Sequence, residues 1–249
     1  MVSSTITSNS KILSRVNYTL IEDELTLFLR NNLTDRRSRA LNKTETFTPD
    51  NSTISFELIG DLDNKNRHKV MNIRSLSIDG TSKTFYTDYI CGFKLRNVDL
   101  TGSNLDLGKI RFWNAPSGSE ISVNYDYAYS FVWPSNNRVD ITTIDYPRVT
   151  VDCNGTMTDL GIGGSSVVHN ITITLVITDS LIEGVRALVQ QIKDLFIQES
   201  VKKGFHNFTY ITPSQIQEGP IVNANDTNDV IYEQTITLTI PNQFEFSQC

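Results

Sequence analysis

The sequence carries little that could make or break bonds. Its three cysteines, Cys91, Cys153 and Cys249, are scattered and form no Cys-x-x-Cys pair. A disulfide framework is therefore not expected. Structural zinc is not expected either, because such sites use closely spaced Cys/His pairs. Free thiols in a reducing compartment are the simpler reading. The three histidines, His68, His169 and His206, stand far apart, with no cysteine neighbour and only generic acids nearby. No apolar run approaches the roughly 20 residues of a membrane span. The longest apolar region, 171–195, is interrupted by Thr, Asp, Glu and Arg. The first ten residues have neither a basic nor an apolar stretch, so no secretory signal is expected. Positive charge is also scarce. The net charge is −6 and the pI about 5.1, which argues against a nucleic-acid binder, since those carry a basic patch. The one basic cluster, Arg36-Arg37-Ser38-Arg39, reads as a solvated helix end favoured by the helix dipole.

Motifs that suggest chemistry fail on inspection. Gly161, Gly163 and Gly164 resemble a phosphate loop, but that motif needs a helix directly after it, and here a strand pattern follows. Asp61, Asp63 and Asn64 imitate part of a calcium loop that lacks its turn glycine and final glutamate. Trp113 and Trp133 are expected in a core or a domain seam. Eight Asn-x-Ser/Thr sequons occur, but a chain this rich in Asn, Ser and Thr acquires several by composition alone. Asn170 leads straight into an apolar strand, so glycosylation is not expected. No nucleophile–base pair emerges, and the chain reads as non-enzymatic, without metal or nucleotide cofactor.

What is present is β-rich structure framed by two helices. Ile21, Leu25, Phe28 and Leu29 form one stripe of an amphipathic helix over 18–34, with Thr19 placed before the acids Glu22, Asp23 and Glu24. Residues 45–132 read as short strands separated by turns: 52–59, 70–78 ending at Asp79-Gly80, 84–89, 109–113 and 121–125. They predict a small all-β, sandwich-like unit over 45–135. After a change of character, Tyr146-Pro147-Arg148 opens a strand over 146–151. The span 152–166, with Asp152, Asn154 and the three glycines, reads as a long flexible loop. Residues 167–178 alternate strictly. Ser180-x-x-Glu183 has the form of a capping box opening a helix to about residue 200, with Leu181, Val185, Leu188, Ile192 and Leu195 as its stripe. The polar span 213–229 reads as an extended arm with Ile216, Ile221 and Val222 as isolated apolar anchors, followed by strands over 230–240 and 243–246.

The order from Asp145-Tyr-Pro-Arg-Val-Thr-Val151, through a polar loop, to Val167-Val-His-Asn-Ile-Thr-Ile-Thr-Leu-Val-Ile-Thr-Asp179, the capped helix and a final β-pair ending at Ile240 resembles the tail-completion, or tail-terminator, proteins of tailed phages and tailed archaeal viruses. The resemblance covers residues 1–40 and 138–249. It implies an α+β fold, an α/β sandwich of a mixed or antiparallel sheet with two helices, carrying 45–135 as an inserted β-domain that the small members of the family lack. Tyr146, Pro147 and Arg148 are its most motif-like residues. The implied role is a virion neck protein, assembled in the host cytoplasm as a homo-oligomeric ring, most simply a hexamer. That ring would cap the tail tube and join it to the head connector, with genomic DNA passing through unbound and no membrane involved. Another tail, baseplate or collar component, or a cell-surface adhesion protein, are the alternatives. Asp152, Asn154, Gly161, Gly163, Gly164, Ile216, Ile221 and Val222 are the expected assembly contacts.

Overall fold

The computed structural model describes residues 17–35, 40–60, 70–93, 107–134, 146–159, 166–198, 205, 216–226 and 229–246. These form a mixed α+β fold with two helices and several largely antiparallel sheets. Two hydrophobic cores organise it.

The first core lies beneath a five-stranded sheet. Its strands are β8 (Val132–Pro134), β9 (Arg148–Asp159), β10 (Ser166–Asp179), β11 (Ile216–Asp226) and β12 (Asp229–Phe246), in the order β11-β12-β10-β9-β8. All neighbours are antiparallel except β8 and β9. The alternation read in 167–178 is the reason β10 sits at the centre: Ile171, Ile173, Leu175 and Ile177 are fully buried. Opposite them in the ladder stand Ile236, Leu238 and Ile240 on β12, and Val149, Val151 and Cys153 on β9. Helices α1 (Tyr18–Asn32) and α2 (Ile182–Ile197) cover this face. Ile21, Leu25, Leu29 and Leu33 come from the first, and Val185, Leu188, Ile192 and Phe196 from the second. The helices touch each other through Phe28 and Phe196, with ring centroids 6.0 Å apart, and through Gln191, which accepts from the Thr34 N–H at 3.1 Å.

The second core lies between two smaller sheets. One has the order β1 (Leu41–Phe47), β7 (Ile121–Tyr127), β3 (Val70–Ile78) and β4 (Thr81–Ser82); the other has β2 (Ser55–Glu57), β6 (Lys109–Phe112) and β5 (Tyr89–Cys91). Phe56, Leu58, Ile110 and Phe112 from the second meet Ile73, Leu76, Val123 and Tyr125 from the first. Leu27 of α1 also enters this core, so one helix serves both.

Several sequence expectations need correction. The loop expected at 152–166 is strand as far as Asp159, in unbroken register with β10 from Arg148↔Thr178 to Val167↔Asp159. Gly155 is needed there because a Cβ would lie 2.6 Å from the Asn170 carbonyl and 2.9 Å from the Tyr18 hydroxyl. The glycine marks a close approach rather than a loop. The arm expected at 213–229 contains β11, whose backbone pairs with β12 apart from a register shift between Glu218 and Ile221. The strand expected over 52–59 shrinks to three residues. The strand expected over 84–89 is a turn: the Thr84 N–H donates to Asp88 Oδ2 at 2.7 Å and the Asp88 N–H to the Thr84 carbonyl at 2.9 Å. The Ser180 capping box does not form. Leu181 is the N-cap residue, without a side-chain cap, and its N–H donates instead to Asp179 Oδ1 at 3.1 Å. The first helix is capped by Asn17, which accepts from the N–H groups of Thr19 and Leu20, and its acids fall in the second turn. Residues 132–134 belong to the larger sheet and not to the β-rich unit in which the sequence placed them.

Candidate assembly surface

Among the described residues, no helix covers the other face of the five-stranded sheet. In register across it run Asp152, Thr174, Thr237 and Gln217, then Asn154, Thr172 and Thr239, then Thr150, Val176 and Thr235. Directly opposed residues share a face and sit close enough to pack side by side. The result is a surface of short hydroxyl and amide side chains, partly exposed where the inward positions are sealed. Asp152 and Glu233 are the described acids of this face; strands β9 to β12 contain no lysine, and Arg148 is their one arginine.

The expected contact residues fall into distinct places. Asp152 and Asn154 lie on this open face, in β9. Gly161, Gly163 and Gly164 lie outside the described residues. Ile216, Ile221 and Val222 lie on β11 at the edge of the sheet; Ile216 packs toward the first core, and Val222 is 46 % exposed. Glu218, on the same strand, reaches Lys193 of α2 at 2.6 Å. Tyr146 and Pro147, joined by a cis peptide, lead into β9, and Arg148 is buried at its first position.

The seam between the cores is the other built feature. Arg30 of α1 is buried. It donates from Nε to the Val132 carbonyl at 2.9 Å and from Nη1 to the Met71 carbonyl at 3.0 Å, one partner from each side. Burial lowers its pKa to about 9, while Asp23 opposes that shift. A register shift between Ile73 and Ser75 turns Arg74 out of the β3 ladder. Arg74 then meets Asp126 Oδ2 at 2.5 Å and the Asn31 carbonyl at 2.6 Å. These groups line a cleft of about 450 Å³ together with Asn42, Asn124 and Tyr129.

Neither described thiol is activated. Burial pushes the Cys91 thiol well up, and burial with Glu22 and Asp152 pushes Cys153 up to about 12, the opposite of an activated nucleophile. His169 is buried, with Nδ1 3.1 Å from the Tyr18 hydroxyl. His68, His206, the Asp61–Asn64 turn and Arg36–Arg39 lie outside the described residues. Trp133 sits at the seam as expected. Trp113 does not: it is 54 % exposed, its indole N–H held by the Tyr86 carbonyl at 3.1 Å. No described helix is long and apolar enough to cross a membrane. Comparison with protein families, with curated proteins and with solved structures finds no match to the chain. Sequence reasoning missed the open face because its residues belong to strands separated in the chain and adjacent only in register.

Proposed function

We propose that the chain is a structural, non-catalytic subunit of a virion neck, of the tail-terminator type. It would form a closed ring, most simply of six copies, that caps a tail tube and meets the head connector. The observation that carries this reading is the one-sided five-stranded sheet, with two helices on one face and a threonine-rich, lysine-free face on the other. A conduit for DNA requires a lumen that does not hold phosphates, because each basic contact adds counterion-release affinity. The open face has that composition, and the helical face is suited to the outside of the ring. The strands β1 to β7 would belong to the inserted unit expected over 45–135 and lie outside the family-like part. Ring closure needs two different patches to meet on neighbouring copies, and the edge strands β8 and β11 supply them.

The test is mass measurement of the purified protein and of isolated tails, with labelled virions imaged in parallel. A cyclic oligomer at the head–tail junction is the expected result. A chain that forms no ring on tail tubes and is absent from that junction is not a terminator.

A further inference from the structure

The seam cleft has a composition that ring assembly does not use. At about 450 Å³ it falls within the roughly 300–1,000 Å³ of small-molecule sites. Arg30, Arg74, Asp35 and Asp126 are the charged residues of its lining, so their formal charges cancel. Three asparagines, Asn42, Asn72 and Asn124, share the lining with Tyr129, which is 48 % exposed.

Two of these groups are held in place before any ligand arrives. Tyr129 follows a strained turn. Ala128 has φ +72 and the Tyr129 N–H donates to the Tyr127 carbonyl at 2.9 Å, which makes a γ-turn of the rare, positive-φ kind. Ser130 fixes the chain beyond it: its hydroxyl accepts from the Val132 N–H at 3.1 Å, and its carbonyl from the Trp133 indole at 2.8 Å. Backbone strain persists where surrounding contacts over-determine it, and it clusters at ligand sites. Arg74 is pinned as well. Its Nε and Nη1 are engaged by Asp126 and the Asn31 carbonyl, while Nη2 makes no hydrogen bond among the described residues. The neighbouring acceptors are half used. Asn42 and Asn124 exchange amide hydrogen bonds at 3.0 Å, and Asp126 Oδ1 accepts from Asn42 at 3.0 Å. Each of these three oxygens accepts one bond among the described residues and keeps a second lone pair.

A fixed donor, several acceptors and an aromatic ring thus share one cleft without net charge. A sugar matches that set. Each hydroxyl both donates and accepts, and the C–H face of the ring is apolar enough to pack on an aromatic side chain. We infer that the seam cleft binds a neutral saccharide, its ring against Tyr129 and its hydroxyls between Arg74 Nη2 and the amide and carboxylate oxygens. Charge selects this occupant over an ionic one: a phosphate meets Asp126 beside Arg74, and an ammonium group meets Arg74 beside Asp126.

The probes are maltose, lactose and N,N′-diacetylchitobiose, each titrated into the full chain. Binding is followed by chemical-shift changes at the Tyr129 ring, the Arg74 Nε–H and the Asn42 and Asn124 side-chain amides. Inorganic phosphate and the peptide acetyl-Gly-Ser-Asn-Gly-amide are the comparisons. At least one disaccharide is expected to shift those resonances saturably and to bind about tenfold more tightly than either comparison. Tyr129→Ala should weaken it about tenfold, and Arg74→Lys, which keeps the charge, about fivefold. Circular-dichroism melts report whether the variants keep the fold, and the shifts in the unaltered protein locate the ligand independently of them. A longer oligomer of the bound sugar separates two sources: tighter binding indicates a polysaccharide and equal binding a free sugar, both in support. Absence of shifts with all three disaccharides overturns the inference. So does equal binding of phosphate or the peptide, or unchanged affinity in a folded Tyr129→Ala.

Discussion

The Arg30 guanidinium carbon lies 4.8 Å from the centroid of the Trp133 ring. Arg30 is on the first helix and Trp133 on the edge strand of the larger sheet, and the same guanidinium reaches the Met71 carbonyl in the smaller β-rich part. One side chain therefore ties together the helix and both cores. A planar fork is what allows this, since its N–H groups diverge at fixed angles while its face stacks on the indole.

Arg30→Lys is expected to destabilise the protein at least as much as Arg30→Met. Lysine keeps the buried charge but cannot donate along both directions while stacking. Methionine removes the charge but leaves the carbonyls with fewer donors, at a cost on the order of 1–3 kcal/mol. Urea unfolding monitored by tryptophan fluorescence measures both. Full stability in Arg30→Lys would show that charge alone, and not the fork, holds the seam.

Acid should weaken the β-rich part through Glu45. Burial pushes this carboxyl up, but hydrogen bonds from Lys43, the Tyr125 hydroxyl and the Ile59 N–H outweigh it and hold the pKa below the ordinary 4.5. Tyr125 donates at 2.7 Å and itself accepts from the Gly60 N–H at 2.8 Å, so the network links β1, β7 and the chain after β2. A depressed carboxylate contributes stability that is complete above pH 4.5 and is lost as pH falls through its lower folded value. Asp50 and Asp79, held low by hydrogen bonds from Thr53 and Ser52 and from Ser119 and Glu120, act in the same direction. Glu45→Gln should flatten the fall in thermal midpoint between pH 5 and 3. An unchanged slope would remove Glu45 from the account.

Both described cysteines should be inert in the folded protein. At pH 8 a thiol raised to about 12 by burial has almost no thiolate, and Cys91 is pushed up further still. Mass spectrometry after iodoacetamide treatment should find Cys91 and Cys153 unmodified until urea unfolds the chain. Rapid native labelling of either would contradict the burial.

Periodicity made the interiors of the elements legible, and its limits explain the corrections. The stripes of Ile21, Leu25 and Leu29 and of Val185, Leu188 and Ile192 became buried helix faces, and the alternation through Ile177 became the central strand. What the chain could not display locally was pairing. Asp152 to Asp159 is polar and includes Gly155, so it read as loop; it is strand because β10 supplies a ladder along its whole length. Ile216 to Asp226 includes Gly219 and Pro220 and is strand for the same reason, as an edge where proline is tolerated. Asp179 displaced Ser180 as the acceptor at the second helix because an aspartate one residue earlier reaches the Leu181 N–H. Of the candidate surface, only individual residues such as Asp152, Asn154 and Val222 were visible in the sequence. The threonine rows required the register.

The two cores should separate in fragments, unequally. A fragment of 138–249 lacks the first helix and β8, and so loses Ile21, Leu25, Leu29, Leu33 and Val132 from its core. Each large apolar side chain contributes about 1.5–3 kcal/mol on burial, so this fragment should not melt cooperatively. A fragment of 40–130 loses only Leu27 from the second core and should give a β-type circular-dichroism spectrum with a cooperative melt. A cooperative 138–249 melt at the full-length midpoint would mean that the helix is dispensable. A helical spectrum from 40–130 would refute its independence.

The lumen assignment makes the sharpest demand on the open sheet face. Thr172 and Thr237 occupy neighbouring rows there, and both are partly exposed. Thr172→Lys with Thr237→Lys adds two positive charges on diagonal positions, so that like charges do not stand directly opposite each other. Away from any core, such changes alter stability by about 0.5 kcal/mol or less each, and the variant should fold and assemble as the parent does. Assembled rings should then retain DNA that the parent releases. The retention should fall with salt, because each phosphate met by a lysine steepens the dependence of log affinity on log salt by about 0.9. The same pair of lysines on the exposed Ser55 and Thr81 of the smaller sheets is the control, since those positions are not on the open face. Filter binding of a short duplex to assembled rings between 50 and 300 mM salt reads the difference. Retention by the open-face variant and not by the control places that face toward the DNA. Equal behaviour of the two variants would move the face to the outside of the ring. Failure of the open-face variant to assemble, with its monomer still folded, would make the threonine rows an intersubunit contact instead.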